Sequence, residues 1–121
     1  MNKNIAILGA SPKEERYANM CQKLLVEKGY SVYPINPVYD EIDGKKCYKS
    51  LVDIIDDIDT ITVYMNPERF NKVMNDILQK KPKRVIFNPG TESDEIKKTL
   101  IKEGIEVVEA CTLVMLKTGQ F

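Results

Sequence analysis

The sequence predicts an α/β domain of three layers, in which a five-stranded parallel sheet is covered by helices on both faces. Short apolar runs typical of buried strands alternate with helical patterns along the chain, and glycine or Asn-Pro follows four of the five runs. Because tight turns cannot join parallel strands, this alternation favours crossover units over hairpins. The length of 121 residues fits one domain, residues 1–121.

The first part of the chain supplies two strands and a helix. Residues 5–8 form a continuous apolar run that stops at Gly9, as expected of a strand buried on both faces. Residues 31–35 form the second strand, which ends at Asn36-Pro37. Residues 14–28 form a helix between them that stops at Gly29, and its predicted apolar face comprises Tyr17, Met20, Cys21, Leu24 and Leu25.

The middle of the chain is less regular before a third strand begins. Residues 38–49 are polar, and Asp43-Gly44 is expected to form a turn. Ser50 is expected to cap a short helix that carries Leu51, Ile54 and Ile55. Residues 60–65 are rich in β-branched side chains and are predicted to form the third strand.

The last part of the chain contains the clearest helical pattern. Asn66 is the expected N-cap and Pro67 the first helical residue, followed by apolar positions at Phe70, Val73, Met74, Ile77 and Leu78. Residues 84–87 and 105–108 form the fourth and fifth strands, with a helix over residues 93–103 between them. Residues 111–116 are a short apolar tail whose pattern fits more than one conformation.

These elements predict a Rossmann-like fold with the strand order 3-2-1-4-5, counting strands along the chain. Ligands of such sheets bind outside the carboxyl ends of the strands, where the strand order reverses. In this order the reversal falls between the first and fourth strands. The loops that follow them, residues 9–12 and residues 88–90, are therefore the first candidates for a binding site.

Composition excludes several classes of function. The chain has 18 Lys and Arg against 18 Asp and Glu, which argues against a nucleic-acid binder but allows a local basic pocket. With no histidine, the chain cannot form a Ser-His-Asp or Cys-His pair, so we expect no stand-alone ligase or hydrolase activity and no metal site. Three scattered cysteines and short apolar runs favour a reduced, cytoplasmic protein without a membrane segment.

The loop Gly9-Ala10-Ser11-Pro12 has the position of a phosphate-binding loop between a strand and a helix. Glycine allows a sharp turn and close approach of an anion, while exposed amides and the helix dipole favour negative charge there. The Ser11 hydroxyl, Lys13 and Arg16 could add direct contacts. The alternative interpretation is a tight turn in which Ser11 only caps the helix.

Missing motifs restrict the choice of ligand. The dinucleotide fingerprint GxGxxG is absent, and Asn36 stands where an acidic residue would bind a ribose at the end of the second strand. No GxxxxGK[ST] loop is present either. An NAD-dependent reaction and a P-loop nucleotidase are therefore not expected.

Several local motifs together carry a resemblance to a known family. They are Gly-Ala-Ser-Pro at 9–12, Gly-Tyr-x-Val-x-Pro-x-Asn-Pro at 29–37 and Tyr-x-Ser-Leu at 48–51, followed by VIFNPGTES and GIEVVEACTLVML. From Ile5 to about Leu116 the chain resembles the small single-domain CoA-binding proteins. That family is related to the N-terminal CoA-binding domain of the succinyl-CoA synthetase alpha subunit. Residues 64–66 and 87–90 depart from the family's commoner pattern.

The resemblance implies a binding site for coenzyme A. The loop from Gly9 to Pro12, comprising Gly9, Ala10, Ser11 and Pro12, would hold the phosphates, with Lys13 and Arg16 nearby. Pro34, Asn36 and Pro37 would border the adenosine, while Met65, Asn66 and Gly90 would lie along the path of the pantetheine. Cys111 follows the fifth strand, so its sulfur is a candidate contact for the CoA thiol, although burial under the tail is the alternative.

We therefore expect a non-catalytic or accessory protein that binds CoA or a short acyl-CoA. Two alternatives remain at this point: a CoA-donating subunit or remnant of an acyl-CoA ligase, and a Rossmann-like sensor of another nucleotide. The expected partners are the CoA ligand and either a second protein or a second copy of the chain, with no nucleic acid and no membrane.

Overall fold

An all-parallel sheet of five strands runs through the computed structural model, which describes residues 3–121. The strands of this sheet are β1 (Asn4–Leu8), β2 (Ser31–Ile35), β5 (Thr60–Val63), β6 (Arg84–Phe87) and β7 (Glu106–Glu109). A separate two-stranded hairpin comprises β3 (Glu41–Ile42) and β4 (Lys45–Lys46). The helices are α1 (Tyr17–Glu27), α2 (Pro67–Lys80), α3 (Asp94–Lys102) and α4 (Thr112–Lys117), with a 3-10 helix at Leu51–Asp53. The predicted α/β class with a five-stranded parallel sheet is confirmed.

The order of the strands differs from the prediction. The observed order is β2-β1-β5-β6-β7, which is 2-1-3-4-5 when the strands of this sheet are counted along the chain, whereas 3-2-1-4-5 was expected. β5 pairs with the free side of β1, with Ile5 beside Thr60 and Leu8 beside Val63. The reversal of strand order therefore lies between β1 and β5, and the loops after β1 and β5 meet there.

Pro34 gives the physical reason for this correction. It lies within β2, and its carbonyl faces away from β1 and accepts a hydrogen bond from the Tyr48 amide at 2.9 Å. The proline nitrogen has no hydrogen to donate and faces the same open side, which suits an edge strand and not a central one. The predicted order would have placed a full strand against that side of β2.

The two faces of the sheet are covered by different helices. Ala6 and Leu8 of β1 pack in the cluster that contains Phe70 of α2 and Leu100 of α3. Ile5 and Ile7 point the other way, into the cluster that α1, α4 and the β3–β4 hairpin complete with the following residues: Ala18, Cys21, Leu25, Ile42, Leu113 and Leu116. The central strands are buried on both faces, which explains their continuous apolar runs.

Helix α1 buries a different face from the one predicted. Cys21 and Leu25 are in the core as expected, but Tyr17 is 68% exposed and Met20 is 40% exposed. The buried face instead includes the polar residues Asn19 and Gln22. The Asn19 side chain donates to the Ser11 carbonyl, and the Gln22 side chain donates to the Ile42 carbonyl of the hairpin. Apolar periodicity does not predict such contacts.

Other boundaries are close to the predictions. Asn66 caps α2 and Ser93 caps α3, each through its side-chain oxygen, and the undecided tail is helix α4 with Cys111 as its N-cap. The short helix after Ser50 is a 3-10 turn, and Ile55, a predicted apolar position of that helix, is 97% exposed. The predicted third strand ends at Val63, which leaves Tyr64 and Met65 in the loop at the reversal point.

Candidate functional site

The loops after β1 and β5 approach each other closely at Gly9. This residue has φ of +92°, and a Cβ built on it would lie 2.8 Å from the backbone carbonyl oxygen of Tyr64. Only glycine combines this backbone conformation with such a close approach. The Gly9 and Ala10 amides both donate to the Ile35 carbonyl, at 3.2 and 3.1 Å, which ties the same loop to the end of β2.

Two adjoining cavities open around this point. The first has a volume of about 580 Å³ and is lined by Gly9, Ala10, Ser11, Lys13, Arg16, Tyr17, Ala18, Asn36, Val38, Tyr39, Tyr64, Met65 and Arg69. The second, about 450 Å³, is lined by Leu8, Gly9, Ile35, Asn36, Pro37, Val38, Lys49, Ser50, Leu51, Met65, Arg69, Lys72, Val73 and Ile77. Because they share Gly9, Asn36, Val38, Met65 and Arg69, they form one continuous cleft at the carboxyl edge of the sheet.

The charges that line this cleft have one sign. Its walls carry five cationic side chains and, within residues 3–121, no Asp or Glu: the cations are Lys13, Arg16, Lys49, Arg69 and Lys72. The whole chain has no net charge, so this is a local concentration and not a general excess. A concave surface lined with cations attracts and concentrates anions.

Two of these cations stand where a helix dipole disfavours them. Arg16 is the N-cap of α1, and Arg69 lies in the first turn of α2. The amino end of a helix carries partial positive charge, so a cation there costs free energy unless an anion is nearby. No side chain caps α1, and the Tyr17 and Ala18 amides have no hydrogen-bond acceptor within the described residues. This helix end can therefore donate to a bound anion.

Asn36 and Ser11 shape the wall of the first cavity. The Asn36 side chain donates to the Ala10 carbonyl at 2.9 Å and accepts from the Val38 amide at 2.8 Å. The Ser11 Oγ accepts from the Lys13 amide at 3.1 Å, which leaves its hydroxyl hydrogen available to a ligand. Asn36 thus holds the loop in place, while Ser11 lines the cavity as a donor.

The remaining residues predicted for the site occupy different positions. Pro37 and Met65 line the cleft, whereas Pro12, Pro34, Asn66 and Gly90 are not among its lining residues. Pro34 is buried in β2, and Asn66 accepts from the Arg69 amide at 2.9 Å as the N-cap of α2. Gly90 is exposed in the loop after β6. Because β5 lies between β1 and β6, this loop is not at the reversal point of the strand order.

A third cavity extends the cleft toward Cys111. It has a volume of about 370 Å³ and is lined by Tyr17, Tyr64, Asn88, Pro89, Thr91 and Cys111. Tyr17 and Tyr64 also line the first cavity, so the two are adjacent. None of these six lining side chains is basic or acidic, and we refer to this cavity as the neutral groove.

At the neutral groove, Tyr64 and the neighbouring buried Cys21 are held in their protonated forms. Burial raises the pKa of the Cys21 thiol to about 11, and the neighbouring Tyr64 hydroxyl opposes that rise. Burial also raises the pKa of Tyr64 above its ordinary range, and the adjacent Cys21 thiol adds to the rise. Of the three cysteines, Cys111 is half-buried and reaches the groove, while Cys21 and Cys47 are buried.

A buried polar network fixes the far wall of the groove. The Asn88 side chain donates to the Thr62 hydroxyl and to the Val63 carbonyl, both at 2.8 Å. Its oxygen accepts from the Thr112 amide at 2.9 Å, and the hydroxyls of Thr62 and Thr112 lie 2.8 Å apart. Asn88 therefore joins the ends of β5 and β6 to the first residue of α4, next to Cys111.

Sequence reasoning did not assign several aromatic and cationic residues of the cleft to the site, among them Tyr39, Lys49, Tyr64, Arg69 and Lys72. A signal existed for Arg69, because a cation in the first turn of a helix is unfavourable without an anion. The others carry no local signal, since Tyr39 and Lys49 lie in the irregular segment and Tyr64 was included in the third strand. Their common location depends on β5 lying beside β1.

The fold and this cleft define a Rossmann-like domain with a cation-lined cleft at the carboxyl edge of its sheet. The chain belongs to a family of CoA binding domains, because the model of that family matches residues 3–117. The resemblance noted in the sequence is thereby confirmed.

Relatives include both enzymes and small proteins. The chain is 48% identical to the ADP-forming acetate–CoA ligase of Methanocaldococcus jannaschii over 61 residues, which is 50% of this chain and 9% of the ligase. It is 29% identical to the protein YneT of Bacillus subtilis, covering 88% of this chain and 79% of YneT. A crystal structure of an uncharacterized protein superposes with a TM-score of 0.94 at 42% identity, covering 100% of this chain and 99% of that one.

Two further observations concern residues 3–121. Their helices are all too short or too polar to cross a membrane. The same residues contain no group of three or more Cys, Asp or Glu side chains arranged to hold a metal ion.

Proposed function

We propose that the protein binds coenzyme A or a short acyl-CoA at the carboxyl ends of β1 and β5, in a non-catalytic or accessory role. The observation that carries this proposal is the cleft lined by five cations and no carboxylate in a chain without net charge. CoA carries a pyrophosphate and a 3′-phosphate on one end and a neutral pantetheine arm on the other. Family membership and the uncapped end of α1 support the same ligand.

The two ends of CoA match different parts of the site. The pyrophosphate fits the first cavity, near Ser11, Lys13 and Arg16, where the amides at the start of α1 can donate to it. The adenosine and its 3′-phosphate fit the second cavity, which combines apolar walls with Lys49 and Lys72. The neutral arm then crosses Tyr17 and Tyr64 into the neutral groove. Asn66 and Gly90 line none of the three cavities, so the arm does not contact them on this path.

Calorimetric titration tests the ligand class. We expect CoA to bind with micromolar affinity, which corresponds to about 8 kcal/mol, and NAD and ATP to bind at least tenfold more weakly. Dephospho-CoA, which lacks the 3′-phosphate, should lie between them. NAD binding as tightly as CoA would refute the proposal and favour a sensor of another nucleotide.

We also propose that the Cys111 thiol contacts the thiol end of CoA, because Cys111 lines the neutral groove. With CoA disulfide as the oxidant, the Cys111 thiolate displaces one CoA thiolate. A protein–CoA disulfide forms as the CoA disulfide bond breaks, and the displaced thiolate takes up a proton. Intact-protein mass spectrometry should find one CoA adduct that is absent in Cys111→Ser and retained in Cys21→Ser. An adduct retained in Cys111→Ser would show that another cysteine reacts.

A second candidate function is donation of CoA to a ligase partner. It is favoured by the match to the acetate–CoA ligase, of which this chain spans 9%. Such a role needs a second protein that supplies the chemistry, and the cytoplasm is the compartment we expect. Purification from the native cell, followed by mass spectrometry of retained ligands and proteins, separates the candidates. A stoichiometric ligase subunit in the purified material would favour donation over an independent binder.

A further inference from the structure

The segment between β2 and the 3-10 helix leaves the sheet and returns as a closed excursion, residues 36–49. Its two ends are tied together, because the Asn36 amide donates to the Tyr48 carbonyl at 3.0 Å. Near these ends, Val38 and Tyr39 form one wall of the first cavity. Its far end is the β3–β4 hairpin, with the turn at Asp43-Gly44.

Helix α1 holds the far end of this excursion through two buried amide side chains. Gln22 is 1% exposed and donates to the Ile42 carbonyl at 2.9 Å. Asn19 is fully buried and donates to the Asp43 carboxylate at 2.8 Å. Ile42 itself is buried in the core beside α1. The hairpin is therefore docked and does not project freely into solvent.

Asn19 also holds the phosphate loop. Its side-chain nitrogen donates to the Ser11 carbonyl at 2.9 Å, in addition to its bond to Asp43. One amide group thus donates one hydrogen to the loop that lines the first cavity and the other to the hairpin tip. The Asn19 Oδ1 is buried and unpaired among the described residues, so this arrangement carries a desolvation cost.

We propose that Asn19 and Asp43 are positioning residues that couple the β3–β4 hairpin to the anion-binding loop. Neither residue lines the cleft. When Asp43 holds the Asn19 amide, the Ser11 carbonyl is held as well, and the amides and hydroxyl of the loop keep the orientation that an anion needs. Because coupling is reciprocal, an anion bound at the loop also stabilises the docked hairpin. The reciprocal part rests on the proposed function.

The test compares Asp43→Ala with two controls on the same hairpin. Asp43→Ala removes the carboxylate that accepts from Asn19, and CoA affinity should fall about fivefold to tenfold, as expected for loss of one ordinary hydrogen bond. Asp43→Asn keeps an oxygen acceptor and should retain most of the affinity. Glu41→Ala, at an exposed carboxylate of β3, should bind CoA as the wild type does. Equal CoA affinity in Asp43→Ala and wild type would overturn the proposal, even if Asp43→Ala were less stable.

Amide hydrogen exchange tests the coupling without relying on CoA. In the free protein, Asp43→Ala should exchange at least threefold faster than Glu41→Ala at the Arg16 amide, in the turn after the phosphate loop, and at the Cys47 amide of the excursion. Faster exchange at Cys47 alone would show that the loop and hairpin are independent, and would overturn the proposal. If the wild type failed to bind CoA but the Arg16 and Cys47 amides both exchanged faster in Asp43→Ala, the proposed ligand would be wrong and the coupling would stand.

Discussion

Gly9 is the residue on which the close approach of the loops after β1 and β5 depends. Its backbone conformation is matched by Gly90, since the two have φ of +92° and +90°. They differ in surroundings: a Cβ on Gly9 would meet the Tyr64 carbonyl oxygen at 2.8 Å, and a Cβ on Gly90 would meet nothing within 4 Å. Substitutions at these two positions therefore separate backbone strain from steric contact.

We predict that Gly90→Ala lowers the free energy of unfolding by about 1–2 kcal/mol, from backbone strain alone. Gly9→Ala should cost at least about 2 kcal/mol more, because the Tyr64 backbone must move. Urea unfolding measures both values. Equal decreases in the free energy of unfolding would mean that the Tyr64 backbone moves at little cost. Gly9 would then be required only for its backbone conformation.

Cys21 should make stability fall at alkaline pH. Its pKa is about 11 in the folded protein, against 9.0 as the ordinary value, so between these pH values the unfolded chain loses its proton first. Stability is therefore unaffected by Cys21 below pH 9 and decreases as the pH rises toward 11, by up to about 3 kcal/mol. Cys21→Ala should show a shallower decrease in urea unfolding over this range. An unchanged slope would assign the decrease to other groups, such as Tyr64.

At the scale of single elements, the amino ends of α1 and α2 each carry a cation where the helix dipole favours negative charge. Asn66 and Pro67 start α2 as the sequence predicts, yet Arg69 adds a cation to its first turn. At α1 the N-cap is Arg16, which has no capping side-chain bond. Both choices are unfavourable for an isolated helix and favourable beside a phosphate.

Arg69→Gln should therefore separate binding from folding. We expect CoA affinity to fall about tenfold, from the loss of a charge-assisted contact, while stability stays constant or rises by up to about 1 kcal/mol. Lys98→Gln, at an exposed position of α3, provides the matched control and should change neither quantity. Calorimetry and thermal unfolding measure the two effects. A less stable Arg69→Gln protein with unchanged CoA affinity would contradict the proposed role of Arg69.

At the scale of the whole molecule, cationic side chains are concentrated in the cleft although the chain has no net charge. Five of the 18 Lys and Arg side chains line the cleft at one edge of the sheet, while the chain carries as many acidic as basic residues. Screening should weaken CoA binding, because each exposed contact loses strength as the Debye length falls from about 10 Å at 0.1 M salt to about 3 Å at 1 M. The fold itself, held by an apolar core on both faces of the sheet, should depend much less on salt.

We predict that the pure protein does not turn over acyl-CoA. The chain contains no histidine, and its buried Cys21 and half-buried Tyr64 remain protonated at neutral pH. An assay of thioester hydrolysis and of CoA ligation should give rates equal to the buffer control. Steady turnover that a substitution in the cleft abolishes would instead identify a catalytic group.

Local sequence signals identified most of the elements and part of the site. Gly9 and Ser11 were found because a strand, a glycine and a helix follow each other directly. The position of Asn66 was found because an N-cap and a proline mark a helix start. Lys49 and Lys72 were missed because nothing near them in sequence distinguishes them from solvent-exposed lysines. Pro34 is a local signal for the edge position of β2, since a proline within a strand favours an edge.

The sequence by itself determined the α/β class, the five parallel strands, the glycine turn after β1 and the family, because each depends on short-range patterns of burial and turn formation. Only the tertiary structure decided that β5 lies beside β1, and hence that Tyr64, Met65 and Arg69 face Gly9 across one cleft. It also decided that Asn19 and Asn88 are buried bridges between elements. The physical reason is that strand order and buried hydrogen bonds depend on which distant segments pack together. Periodicity along the chain indicates which residues are buried, but it does not indicate the segment that each one packs against.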